Sequence, residues 1–250
     1  MITSSVPREW KELQNEVGII LEQCGFSVKV EKKVNTARGE AVLDVYAEEI
    51  VKGRKYSIVC ECKHWKSKIP QTVIHSFRTI LNDTGANIGY IVSLRGFQSG
   101  AVKAANYANL ELVTWEEFQK SFCDSWLDQY LCPLITKELD PILGYTEPLV
   151  QDWMCKVPDH EVPLIKALRE KYFAFAVLVM AFTTYSVFMR RTGFPKLPLS
   201  ENWQELNVAE SCIPREILEA TGYREFLHAS LNFGKQGAIE FKKIKDRNNL

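Results

Sequence analysis

The 250-residue chain has no charge excess of either sign: 31 Lys and Arg balance 31 Asp and Glu. This excludes a protein that coats nucleic acid through overall basicity. It leaves room for a local basic patch, because steering depends on where the charge sits. Nor is there a paired cysteine framework. Cys24, Cys60, Cys62, Cys123, Cys132, Cys155 and Cys212 make an odd set of seven with no CxxC pair, which reads as reduced thiols in a cytoplasmic protein. The opening MITSSVPREW lacks the basic-then-apolar pattern of a signal peptide. Internal repeats and low-complexity tracts are absent too. What remains is an ordinary globular composition, 46% apolar and 25% charged. It excludes wholesale disorder and suffices for one large domain or two small ones.

One apolar run departs from that picture. Tyr172 to Met189 is eighteen residues without a charge, bracketed by Lys171 and by Arg190-Arg191. That length is the lower limit for a membrane span, and the arginines would suit a cytoplasmic flank. Thr183, Thr184, Tyr185 and Ser186 interrupt it, however, and it continues an amphipathic helix from Val162. The expectation is therefore one helix over 172–189, packed inside a C-terminal domain rather than in a membrane.

Periodicity predicts a helix over Pro7–Gln23, with Trp10, Leu13, Val17, Ile20 and Leu21 on one stripe, Glu16 at its edge, and Gly25 as a stop. Alternation predicts strands from Phe26, over AVLDVYAEE and over YSIVCECK, the last two joined by the turn VKGRK. A helix opens near Pro70 and ends at Asp83-Thr84-Gly85. A strand at 87–93, a helix at 98–109, a strand at 110–113 and a helix at 115–122 follow. The order α-β-β-β-α-β-α-β-α implies an α/β mixed sheet flanked by helices, its first strands hairpin-linked. Strand signals vanish after about Ser125, and helical segments rich in aromatics take over, Trp126, Tyr130, Trp153, Tyr172, Phe173, Phe175 and Phe188 reading as helix core. The expected domains are 1–124 and a mainly helical 125–250, the latter without a chemical motif.

Chemistry concentrates in the predicted hairpin. Glu61 and Lys63 share one strand face, while Cys60, Cys62 and His64 share the other. The spacing of the latter three could suggest zinc, but no second ligand pair lies nearby, and core thiols are the better reading. Asp44 interrupts an apolar strand, where a carboxylate is costly unless something pairs with it. As a hairpin neighbour it stands beside Glu61, and two carboxylates plus water form the oxygen-rich set that Mg²⁺ prefers. Structural pairing of both acids with nearby lysines is the competing reading. Around this hairpin a chain segment from Lys52 to Lys103 carries Lys52, Arg54, Lys55, Lys66, Lys68, Arg78, Arg95 and Lys103 besides Lys63, against Glu61 and Asp83 alone. Such a stripe suits contact with phosphates, as does a solvated face. The loop Arg95–Gly100 leads into a helix and offers backbone N–H groups to a phosphate.

Glu16, LDVYA with Asp44, VCECKHW with Glu61 and Lys63, Gln71, and NIGYIVSLRGFQSGAVKAA together resemble the Mrr-like restriction endonuclease domains of the PD-(D/E)xK nuclease superfamily, over about residues 7–122. The resemblance implies Asp44 and Glu61 as metal ligands, Lys63 as the catalytic lysine, Glu16 as an accessory acid, and Gln71 as a helix residue that orients the lysine or the substrate. Leu43 stands where the superfamily's name pattern has Pro. The implied function is Mg²⁺-dependent DNA hydrolysis, with Mn²⁺ able to substitute, in defence against foreign DNA. A homodimer or a defence-system partner is implied with it, and Lys66, Lys68, Arg78 and Arg95 would contact the DNA. The alternative is a catalytically silent nuclease fold that binds DNA or a partner; the complete acid-acid-lysine set favours the enzyme.

Overall fold

The structure, a computed structural model, describes residues 1–188, 193–202 and 212–250. These form two compact units, Ser5–Gln129 and Tyr130–Leu250, the latter together with Met1–Ser4.

In the first unit, α1 spans Trp10–Gln23 and buries Leu13, Val17, Ile20 and Leu21. It starts three residues later than periodicity predicts, because the Glu12 carboxylate accepts the Arg8 N–H at 2.6 Å and so takes up an amide ahead of the first turn. Gly25, at φ +95°, ends it. Strands β1 (Ser27–Thr36), β2 (Gly39–Val51) and β3 (Arg54–Lys63) pair antiparallel in chain order. The β2–β3 connection is the two residues Lys52-Gly53, both at positive φ, a turn whose twist matches that of the strands. Helix α2 (Gln71–Thr84) then crosses to β4 (Ile88–Ser93), and α3 (Ser99–Ala105) crosses to β5 (Leu110–Thr114). Both strands run parallel to β3, giving the sheet order β1-β2-β3-β4-β5. The loops after β3 and β4 therefore leave from the same end of the sheet, where an isolated bridge joins Ile69 to Phe97.

Alternation sorts the core. Val59 and Ile91 join Ile74, Phe77 and Leu81 of α2 in one buried cluster. Tyr90 points the other way, onto Phe118 and Phe122 of α4 (Trp115–Trp126), and α1 packs beside that helix.

The second unit is helical among its described residues. Its main helices are α5 (Cys132–Thr146) and α6 (Val162–Met180); α7 (Leu199–Asn202) and α8 (Arg215–Leu218) are single turns, and α9 spans Tyr223–Arg247. Helices α5, α6 and α9 pack on one another. The first residues join them because the Met1 and Ile2 carbonyls accept the N–H groups of Tyr223 and Arg224, which open α9.

The single helix expected over 172–189 is not what forms. Helix α6 ends at Met180, and Thr184–Phe188 makes a separate tight turn; Met189 lies outside the described residues. The hydroxyls flagged in the sequence cause the break. Thr183 Oγ1 donates to the Met180 carbonyl at 2.8 Å, Ser186 Oγ donates to the Ala181 carbonyl at 2.8 Å, and Thr136 Oγ1 accepts the Thr184 N–H at 2.9 Å. Among the described residues no helix is long and apolar enough to cross a membrane. Tyr172 and Phe175 are buried as expected of core aromatics, but Phe173 faces outward at 52% exposure.

Candidate active site

The β2–β3 ladder ends at the pair Val45–Cys60. Asp44 and Glu61, the next residues on each strand, face one another just past its end. There the ladder is replaced by side chains. The Cys62 N–H, which would otherwise bond to β2, donates to Asp44 Oδ2 at 2.7 Å. The Cys62 carbonyl accepts the Trp10 indole N–H at 3.1 Å. The Asp44 carboxylate thus lies in the gap between parting strands, where Gln14 Nε2 of α1 donates to its Oδ1 at 3.1 Å.

Asp44 is 8% exposed. Burial raises its carboxyl pKa above the ordinary carboxylate value, against the hydrogen bond from Cys62 and the charge of Lys63. Burial also raises that of Glu61, followed by the charge of Asp44, while Lys63 opposes the shift. Glu61 and Lys63 form a half-buried ion pair at the end of β3. This pair opens into a cleft of about 240 Å³, lined further by Trp65 and by Thr72, Val73, Ser76, Phe77 and Ile80 of α2.

Gln14 is fully buried, and its Oε1 has no hydrogen-bond partner. A buried amide oxygen left without a donor beside a carboxylate marks a place for a water or a ligand. Among the described residues no three His, Cys, Asp or Glu side chains cluster as a metal cage. The residues that could hold a cation here are the two carboxylates Asp44 and Glu61, with the remaining positions left to water.

The other sequence-derived candidates fall in different places. Glu16 lines a shallow depression on α1 with Glu12, Asn15 and Ile19, whereas Gln14 and Trp10 of that helix reach Asp44. Gln14 was legible: with Val17, Gly18 and Leu21 it lies on the buried stripe, a polar side chain in an apolar row. Gln71 sits against Gly100 of α3, where an added Cβ would lie 2.9 Å from its Oε1, while its helix neighbours Thr72 and Val73 line the cleft. Cys60 and Cys62 are fully buried, and burial raises both thiols well above the ordinary value. His64 contacts the Pro7 carbonyl through Nε2 at 3.1 Å.

The basic stripe does not form one surface. Lys52, Arg54 and Lys55 cluster at the hairpin turn, a strand's length of roughly 30 Å from Lys63 at about 3.3 Å per residue, and Lys55 pairs with Glu48 at 2.6 Å. Arg78 donates to the Ala104 carbonyl at 2.9 Å. Lys66, Lys68 and Arg95 are exposed on the loops that leave the Lys63 end of the sheet. In the loop before α3, the Arg95 N–H donates to Ser93 Oγ and the Gln98 N–H to the Ile69 carbonyl, so those amides are already occupied.

Residues 8–122 match the family model of the Mrr catalytic domain, described as a restriction endonuclease. That segment is an Mrr-like restriction endonuclease domain with the mixed five-stranded sheet described above. A solved structure titled "Crystal Structure of Protein of Unknown Function AF1548" is similar over 69% of this chain and 98% of its own, at 20% identity and a TM-score of 0.39. No curated protein matches the sequence.

Proposed function

We propose that this chain is a Mg²⁺-dependent endonuclease that hydrolyses DNA phosphodiester bonds, with Mn²⁺ able to substitute, and that it acts in defence against foreign DNA. The family match supports the reaction class, since a restriction endonuclease domain has DNA as its substrate. The observation that carries the reading is the buried Asp44 carboxylate, hydrogen-bonded by neutral N–H donors of Cys62, Gln14 and Trp10 beside the Glu61–Lys63 pair and the unpartnered Gln14 Oε1.

The donor set fits a hard divalent cation. Asp44 and Glu61 offer only oxygens, and two carboxylates with raised pKa values are a site that a cation would relieve. When bound there, the ion supplies charge neutralisation at the scissile phosphate and at the leaving oxygen. The rest belongs to the chain. Gln14 fixes the Asp44 carboxylate through Nε2 and presents Oε1 as an acceptor for a water proton. Lys63, pinned by Glu61, orients a water toward phosphorus and steadies the negative charge that grows on the phosphoryl oxygens. Exposed Lys66, Lys68 and Arg95 hold the flanking phosphates.

The direct test is incubation of the purified chain with supercoiled plasmid in Mg²⁺ and in EDTA. Nicked and linear products in Mg²⁺ alone are expected. Intact plasmid under both conditions would overturn the reading.

A further inference from the structure

The cleft beside Lys63 has a composition that hydrolysis does not require. Its floor is apolar, made by Val73, Phe77 and Ile80 of α2. One wall is Trp65, 43% exposed, with Lys63 Nζ 6.0 Å from its ring centroid. The rim carries the hydroxyls of Thr72 and Ser76, one helical turn apart. Ser76 Oγ donates to the Thr72 carbonyl at 3.1 Å, so its oxygen remains an acceptor for an incoming N–H. A phosphate would gain nothing from an apolar floor and would lose its own hydration against it. A planar heteroaromatic with N–H and carbonyl groups on its edge matches floor, wall and rim together, and a cleft of about 240 Å³ is roomy enough for one such ring.

Resting on the nuclease reading above, we propose that this cleft receives one unpaired nucleobase next to the scissile phosphate, stacked on Trp65 and read at its edge by Thr72 and Ser76. A base inside a duplex keeps both faces covered by its neighbours and cannot offer one to Trp65. The preferred substrate is therefore DNA with an unpaired or extruded nucleotide at the cut, rather than uninterrupted duplex.

The test uses oligonucleotides of one sequence in three forms: single-stranded, duplex with a one-nucleotide bulge, and fully paired. Binding is followed in EDTA through quenching of tryptophan fluorescence, and cutting in Mg²⁺. The full-length chain is compared with Trp65→Ala and Trp65→Phe; an exposed ring is removable without emptying the core. Unpaired DNA is expected to bind and be cut about 10-fold or more better than duplex, the scale of one stacked base. Trp65→Ala should erase that preference, bringing unpaired DNA down to the level of duplex, while Trp65→Phe keeps most of it. Equal cutting of all three forms, unaltered in Trp65→Ala, overturns the base pocket and leaves the nuclease reading standing. Tight, Trp65-dependent binding of unpaired DNA without any cutting overturns the nuclease reading and keeps the pocket. Neither binding nor cutting of unpaired DNA overturns both.

Discussion

Each unit buries a carboxylate, and the two are handled differently. In the second unit Glu161, 6% exposed, receives Arg247 at 2.7 Å, a guanidinium that can neutralise it and still reach water. In the first unit Asp44, 8% exposed, receives a backbone amide and the Gln14 side chain, donors that cap its oxygens without cancelling its charge. The closed pair is a fastening. The open one leaves negative charge in low dielectric, next to a second acid and an orphaned acceptor, a perturbed cluster of the kind that gathers at functional sites, and on the function proposed above a cation completes it. The rest of each unit follows suit. Lys171 and Lys235 of the second unit pair with Glu240 and Glu138, whereas Lys66, Lys68 and Arg95 of the first are exposed around the site.

The contrast breaks most sharply at Lys63. Lys63→Ala is expected to lower the cleavage rate by about 10²–10⁴-fold, the scale of a positioned proton-transfer group, with DNA affinity nearly unchanged. Extra Mg²⁺ or Mn²⁺ should not restore it, because no ligand is missing. A variant that cuts at the parental rate would return the Glu61–Lys63 pair to the same structural class as Glu161–Arg247.

Neutralising each buried acid isosterically separates the two classes. Asp44→Asn should abolish cleavage and be rescued in part by raised Mg²⁺ or Mn²⁺. Glu161→Gln should cost stability, about 1–3 kcal/mol for a buried group hydrogen-bonded to a charge, with cleavage per folded molecule unchanged. Thermal melts and rates measured on the same samples decide it. Gly237→Val extends the contrast to packing. An added Cβ there lies 2.8 Å from Tyr172 Cε1 and 2.9 Å from Ile142 Cδ1, in the contact between α9, α6 and α5. Overpacking of this kind typically costs about 1–3 kcal/mol. It should lower the melting temperature and again spare the rate per folded molecule.

Legibility in the sequence followed the same divide. A charge inside an apolar alternation is conspicuous, so Asp44 and the Glu61-x-Lys63 spacing pointed to one another before the register placed them together. The hairpin order is readable because Gly53 takes without strain the positive φ that a two-residue hairpin turn demands. Gln14 carries a weaker signal in the sequence than Glu16, because an amide in an apolar row is less conspicuous than an acid, although residue 14 and not 16 falls on the stripe that α1 buries. Trp65, Thr72 and Ser76 line a cleft that forms only once α2 folds back on β3, and no local pattern announces it. The basic stripe divides for a related reason: neighbours along a strand become distant in space, and Lys52 to Lys55 lie at the far end of β3 from Lys63. In the second unit the apolar run predicts one helix, and hydroxyls competing for the carbonyls divide it at Met180.

Proton linkage gives a finer test of the open site. Both Asp44 and Glu61 have carboxyl pKa values raised in the fold, chiefly by burial. A group raised in this way supports the fold fully below its unfolded value, about 4, and that support is lost as pH rises through the folded value. The metal-free parent should therefore lose stability relative to Glu61→Gln as pH is raised from about 4 to 7. At neutral pH, Mg²⁺ should raise the parent's melting temperature and leave that of Glu61→Gln nearly unmoved. A parent that gains on Glu61→Gln as pH rises would mean that Lys63 already closes the site as Arg247 closes Glu161.

The smallest effect concerns the exposed cations, where the two ends of β3 serve as each other's control. Phosphate contacts release counterions, and each contributes about 0.9 to the slope of log affinity against log salt on duplex DNA. Lys66 and Lys68 leave the sheet at the Lys63 end, and replacing both with Ala should flatten that slope by roughly 2. The loss should be alike for every sequence, because phosphates carry no base identity. Lys52 and Arg54 sit at the hairpin turn, and replacing both should leave the slope as it was. Affinities measured between 50 and 200 mM salt, the range over which about 10³–10⁵ in affinity is lost with six to ten contacts, are sensitive enough to separate the pairs. If the hairpin pair flattens the slope and the Lys66–Lys68 pair does not, DNA lies across the other end of the sheet, and the Asp44–Glu61–Lys63 cluster is not where its backbone is held.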